Sequence, residues 1–166
     1  TQLPIVSFAF LRTQKGIDRP DIKANIYPTR LDARVWFPGI RKGAGHALGA
    51  FCVLLRPESR GWVRLRSANP ADAPRIQINM YQDQRDLESM RRSVRMMREI
   101  FTVDPLASLI GKELLPGADV QSDAEIDAFN RNFTVLSHHA SCTCAMGQDE
   151  QAVVDPELRV RGVEGL

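Results

Sequence analysis

The spacing of hydrophobic and polar positions changes along the chain. Ile5 to Leu11 mixes aromatic and branched residues, Asp21 to Tyr27 sets Ile22, Ala24 and Ile26 on one side, and Ala47 to Leu55 is small and apolar. Each stretch predicts a β-strand, because side chains alternate between the two faces of a pleated backbone. Trp62-Val63-Arg64-Leu65-Arg66 alternates apolar with charged residues in part, as a strand with one wet face does. Gly16, Pro20, Pro28, Pro38-Gly39 and Gly43-Ala44-Gly45 punctuate these runs as turns or loops. Arg56 to Gly61 reads as a loop joining two antiparallel neighbours.

From Asp86 to Phe101 the period lengthens. Leu87, Met90, Val94, Met97 and Ile100 recur at steps of three and four, with Arg91, Arg92, Arg95 and Arg98 largely on the other side. Asp83 or Asp86 can cap this helix, and Pro105 forbids its continuation. Ser122-Asp123-Ala124-Glu125 has the form of a capping box and opens a second helix carrying Ile126 and Phe129. Strands followed by segregated helices predict an α+β fold, a mainly antiparallel sheet flanked by helices.

Composition adds exclusions. A length of 166 residues fits one ordinary domain, and 43% hydrophobic with 25% charged residues excludes wholesale disorder. A net charge of +2 is too balanced for a nucleic-acid arm or a membrane-adsorbing surface, so no nucleic-acid partner is expected. No apolar run approaches the roughly 18 to 20 residues of a membrane span. Three cysteines leave at least one unpaired, which points to a reducing compartment, cytoplasmic or membrane-peripheral. The apolar string from Leu3 to Leu11 and the close on Val163-Glu164-Gly165-Leu166 lack the polarity of mobile termini. They predict a segment of a longer chain.

Reactive residues concentrate in Ser137-His138-His139-Ala140-Ser141-Cys142-Thr143-Cys144-Ala145-Met146-Gly147. Three chemistries suit such a cluster. A zinc or copper site could draw on His138 or His139 with Cys142 and Cys144, and recruit Cys52 and His46. Against it, Cys-x-Cys is tighter than the usual knuckle and no second ligand pair follows, so no metal is expected. A Cys144 nucleophile with His139 as base is a second possibility, but catalytic thiol and imidazole usually meet through the fold, and both cysteines read better as small packed side chains. The third is one histidine acting as general base on an alcohol, for which imidazole titrates in a suitable range. Residue chemistry alone leaves these open.

Several blocks in order resemble the C-terminal part of the glucose-methanol-choline (GMC) oxidoreductases, flavin-dependent alcohol oxidases and dehydrogenases. They are Leu55 to Gly61, Val63 to Pro70, Pro74-Arg75-Ile76 with Asn79, Asp86-Leu87, Leu115-Pro116-Gly117, Ser122-Asp123, His139 to Gly147, and Val153 to Val163. Ser141-Cys142-Thr143-Cys144 is most similar to the choline dehydrogenase branch, where many relatives carry glycine at the Cys142 position. The resemblance implies that residues 1–166 form the C-terminal substrate-binding domain, with FAD as cofactor and a small-molecule alcohol as substrate. It places the flavin-binding domain before Thr1, and an Asp-Ala-Ser flavin-contacting segment with a second catalytic His or Asn beyond Leu166. It implies His139 as the catalytic base, removing a hydroxyl proton while hydride passes to flavin N5. His138 becomes a candidate contact to flavin or substrate. The family commonly has Pro after the base and an aromatic or Asn before it, where this chain has Ala140 and His138. A rival reading is a catalytically inactive module that packs its sheet against a partner chain.

Other residues invite attention. The arginines of the long helix read as a solvated face, Arg56 and Arg60 as partners of Glu58 or Asp72, and Trp36 and Phe37 as core or as a substrate entrance.

Overall fold

A computed structural model describes residues 5–29, 39–40 and 45–165. Trp36 and Phe37 lie outside the described residues. The chain forms two compact units: the described part of residues 1–59 with 81–134, and that of 60–80 with 135–166.

The first unit holds a three-stranded antiparallel sheet of β1 (Ser7–Leu11), β2 (Ile22–Tyr27) and β3 (Gly49–Leu54), with β2 in the middle. Leu11 stands opposite Ile22, and Ile22 opposite Leu54. The alternation read from the sequence holds, since Ile22 and Ala24 are buried on one face. Helix α1 (Gln84–Phe101) covers β2 and β3. Its buried stripe is Leu87, Met90, Ser93 and Met97 with Asp86, so a serine occupies the centre where Val94 was a candidate. Ser93 satisfies its hydroxyl on the Met90 carbonyl at 2.7 Å and bonds Cys52 of β3, whose thiol is pushed up by burial. Helix α2 (Asp123–Phe133) starts with the expected capping box: Ser122 and Glu125 each accept from the other's backbone N–H.

The arginines of α1 from Arg91 to Arg98 are a solvated face only at Arg95; Arg91, Arg92 and Arg98 are partly buried, and all four have partners. Arg91 holds both oxygens of Asp127, at 2.8 and 2.5 Å, and reaches Asp123 at 2.7 Å. Arg95 pairs with Asp123, Arg98 with Glu113, and Arg92 donates to Thr13. Arg91 and Asp127 are mostly buried, which makes this a bidentate link between two helices rather than a screened surface pair. Periodicity alone does not reveal it, because the acidic partners lie on another helix. Arg56 and Glu58 also pair elsewhere, with Asp18 at 3.9 Å and Arg85 at 3.7 Å.

Asp83 is the N-cap of α1, accepting from the Arg85 N–H. The Arg85 side chain, and then that backbone bond, hold its carboxyl down at about 2 from 3.8. A depressed folded value stabilises the fold above the ordinary range, and that contribution fades as protons bind. The gap in thermal midpoint between the protein and Asp83→Asn is therefore expected to be steady above pH ~4 and to vanish near pH ~2.

The second unit contains a two-stranded antiparallel sheet, β4 (Trp62–Arg64) and β5 (Arg75–Gln77), with Trp62 opposite Gln77. This corrects the reading of Arg56 to Gly61 as a link between antiparallel neighbours, since β3 and β4 belong to different sheets. The N–H groups of Glu58 and Ser59 donate to Asp86 of α1 at 2.7 and 2.8 Å, not to a strand. Gly61 then lies so close to the 77–78 backbone that an added Cβ would sit 2.2 Å from the Gln77 carbonyl oxygen.

Candidate active site

Residues 135–145 carry no regular secondary structure. Their path is shaped by two left-handed residues, His138 (φ 61°) and Cys142 (φ 74°), which stand on either side of His139. Such angles are uncommon outside glycine, though His adopts them more readily than most residues.

Downstream, hydrogen bonds pin this segment. The Val153 N–H donates to the Ala145 carbonyl at 2.9 Å, and the Gly147 N–H to the Val154 carbonyl at 3.1 Å. Arg161 donates its guanidinium to the Gly147 carbonyl at 2.9 Å and its backbone N–H to Val153 at 3.0 Å. The 155–160 turn behind them is closed by Asp155, which accepts from the Arg159 and Glu157 N–H groups and from the Arg159 guanidinium. The Arg159 N–H and side chain hold the Asp155 carboxyl below its ordinary value. Gly147 is tightly placed, since a Cβ there would lie 2.9 Å from an Asp149 oxygen.

Within this frame His138 and His139 are both exposed, and neither ring has a hydrogen-bond partner among the described residues. Cys142 and Cys144 are exposed as well, which corrects the expectation that they are packed. Both stand in a surface turn, and the Sγ of Cys142 meets the Ser141 hydroxyl at 3.6 Å. No hydrogen bond joins His139 to Cys144 among the described residues, so the thiol-nucleophile geometry is not assembled. Nor does any group of three or more His, Cys, Asp or Glu among them converge as a metal site. Cys52 stands in β3 of the first unit.

Apolar side chains accompany the histidines in the same unit, with Val135, Leu136, Met146, Val153 and Val163 all exposed. Together they expose hydrocarbon in the unit that holds the two imidazoles. Exposed apolar surface of this kind marks a face made for contact. A flat, apolar ring system with polar edges suits exposed hydrocarbon accompanied by imidazole donors. No glycine-rich diphosphate fingerprint of the form Gly-x-Gly-x-x-Gly occurs in the sequence, so the residues fit the ring end of a dinucleotide and not its phosphates.

The left-handed backbone at Cys142 explains why glycine suits that position. A side chain there costs about 1 kcal/mol or more, which glycine avoids. Cys142→Gly is expected to keep or raise the thermal midpoint with turnover unchanged, whereas Cys142→Val lowers the midpoint; unfolding curves of the two variants check this.

A C-terminal GMC oxidoreductase family model matches residues 57–166, and the chain belongs to this family. Within it, the chain is 44% identical to human mitochondrial choline dehydrogenase over 95% of its own length and 26% of that protein's. It is 41% identical to the oxygen-dependent choline dehydrogenase of Brucella ovis, over 96% of this chain and 29% of the relative. Among solved structures it is similar to pyridoxine 4-oxidase from Mesorbium loti, with a TM-score of 0.73 and 32% identity over 92% of this chain and 30% of that one. An FAD-dependent oxidoreductase from Chaetomium thermophilum matches with a TM-score of 0.69 and 32% identity over 89% and 23%. The chain thus spans between about a quarter and three-tenths of the relatives it matches.

Sequence reasoning missed the long-range anchors. In the unit of the histidines Arg161 reaches Gly147 across 14 positions, and in the first unit Asp86 reaches Glu58 across 28, separations with no local signature. An Arg or Asp that pairs with a distant backbone group looks like any other charged residue in sequence.

Proposed function

We propose that this chain is the substrate-binding part of an FAD-dependent alcohol dehydrogenase or oxidase similar to choline dehydrogenase, with His139 as its base. The observation that carries the proposal is an exposed imidazole with no hydrogen-bond partner among the described residues, on a loop pinned downstream, inside the stretch matched by the family model. Such an imidazole is available to an incoming hydroxyl, where a histidine serving structure would be spent on a neighbour.

His139 accepts the hydroxyl proton of a small primary alcohol as negative charge develops on that oxygen, and so lowers the barrier to cleavage of the adjacent C–H bond. FAD, when bound, supplies the acceptor for the hydride that leaves that carbon, at N5. The alcohol becomes an aldehyde, with its proton on His139. His138 is placed by its left-handed backbone directly before the base, and its imidazole contacts flavin or substrate. Val135, Leu136 and Met146 exclude water from the reacting carbon once the face is covered. The phosphates of FAD and the remaining walls of the site come from a flavin-binding portion of the same protein.

Choline is the first substrate to try, given the names of the relatives. The intact, flavin-loaded protein should bleach at the flavin band when choline or another primary alcohol is added without oxygen. A flavin that stays oxidised with every primary alcohol supplied would dismiss the activity. The rival, a non-catalytic packing module, then stands.

A further inference from the structure

The chain passes between its two units at three places, and on the first-unit side each crossing is held by α1, α2 or their flanks. After β3 the chain leaves at Ser59, whose N–H is bound by the Asp86 carboxylate and whose hydroxyl accepts from the Asp83 N–H at 3.0 Å. It returns at Tyr81, and it leaves again at Thr134. Those last two residues, 53 positions apart, are joined directly: the Tyr81 hydroxyl and the Thr134 hydroxyl share a hydrogen bond.

Tyr81 is an unusual residue for its backbone. Its φ is 59°, a left-handed angle that is an outlier for a bulky side chain, and such angles persist only where surroundings impose them. What imposes this one is visible. The ring is half-buried with the Arg131 guanidinium 5.9 Å from its centre, and the hydroxyl is tied to Thr134. Burial pushes the phenol above its ordinary value, so the hydroxyl stays neutral through the working range. Thr134 is in turn the C-cap of α2, its N–H donating to the Asn130 carbonyl at 2.9 Å. From there to His139 the chain has only five residues and no regular structure.

We infer that Tyr81 is a positioning residue: its hydroxyl fixes Thr134, the upstream anchor of the loop that carries His139. The inference rests on His139 being the base. The loop then has two anchors, Thr134 before the imidazole and the Ala145–Gly147 latch after it. Five extended residues span up to about 17 Å, so a loose anchor lets the imidazole wander by far more than catalysis tolerates. Misplacement by about 1 Å can cost roughly 10²-fold in rate. The left-handed backbone is the cost of aiming a tyrosine from the return crossing at the exit crossing.

The test uses the intact flavin-loaded enzyme, with choline as probe. Tyr81→Phe removes the hydroxyl and keeps the ring beside Arg131; Thr134→Val removes its partner; Thr134→Ser restores a hydroxyl. Tyr81→Phe and Thr134→Val are each expected to lower kcat about tenfold with KM within about twofold. The double variant should be no worse than either single, and Thr134→Ser should match the unaltered enzyme. Unchanged kcat in either single variant, additive losses, or a serine as poor as valine would overturn the inference. So would a kcat loss that appears only together with lost flavin or a lowered unfolding midpoint. His139→Gln measured alongside separates the two ideas. If it keeps full turnover, the base assignment falls; if it loses turnover while Tyr81→Phe does not, only the positioning role falls.

Discussion

Replacing His139 by glutamine is expected to lower kcat for alcohol oxidation in the intact enzyme by about 10² to 10⁴, the contribution typical of a positioned base. That factor corresponds to roughly 3 to 5 kcal/mol of barrier. Glutamine keeps approximate size and a hydrogen-bonding end but cannot take the proton. The flavin should remain bound, because the ring at position 139 makes no hydrogen bond to any other described residue that would hold the loop together. Two measurements bear on it: steady-state turnover, and the rate of anaerobic flavin bleaching in a single turnover. A glutamine variant that bleaches as fast as the parent takes His139 out of the chemistry. Loss of bound flavin would instead mean that the residue supports the site rather than the reaction. An added small base such as imidazole is expected to recover part of the rate in His139→Ala, where the side-chain space is vacant.

Asp86→Ala is expected to carry the largest stability effect, about 3 kcal/mol. The carboxylate is 3% exposed and accepts two backbone N–H bonds, from Glu58 at 2.7 Å and Ser59 at 2.8 Å. Hydrogen bonds to a charged acceptor contribute about 1.5 to 3 kcal/mol each, and alanine removes the acceptor of both. Asp86→Asn keeps one accepting oxygen and should lose about half as much. The result can be read locally as well as globally. Amide exchange at Glu58 and Ser59 should accelerate in the alanine variant before exchange in β2 changes, because the clamp opens without breaking the sheet. If exchange at these two amides is unaltered, water replaces the carboxylate without loss and the clamp is not what ends β3.

Much of the first unit could be read before any coordinates. The alternation around Ile22 and Ala24 marked the buried face of β2, and the step of three and four from Leu87 to Met97 marked that of α1. The capping box at Ser122 set the start of α2 to the residue. These are local rules, written by sterics and by hydrogen bonds spanning a turn or two. The partition into two sheets escaped them. Whether Arg56 to Gly61 joins neighbours depends on where Asp86 stands, and Asp86 is 27 residues from Ser59.

The candidate site divides the same way. The His-Cys cluster stood out by density, and the resemblance pointed to one histidine among the two. Density did not predict that Cys142 and Cys144 would be exposed, because packing depends on what another part of the chain brings over them. Nor did the arginine run disclose its partners, which α2 and the Glu113 loop supply.

By itself the sequence determined the strands of the first sheet, both helices, most of the buried stripe of α1, the capping box of α2 and the chemical kind of residue concentrated before Cys144. Only the tertiary structure decided which distant charges close on which backbone groups, where the chain crosses between its units, and that Tyr81 and Thr134 meet. The division has one cause. Local propensities act through sterics and bonds between residues a few positions apart, whereas a clamp such as Asp86 or Tyr81 acquires its partner only when folding has brought together segments many residues apart.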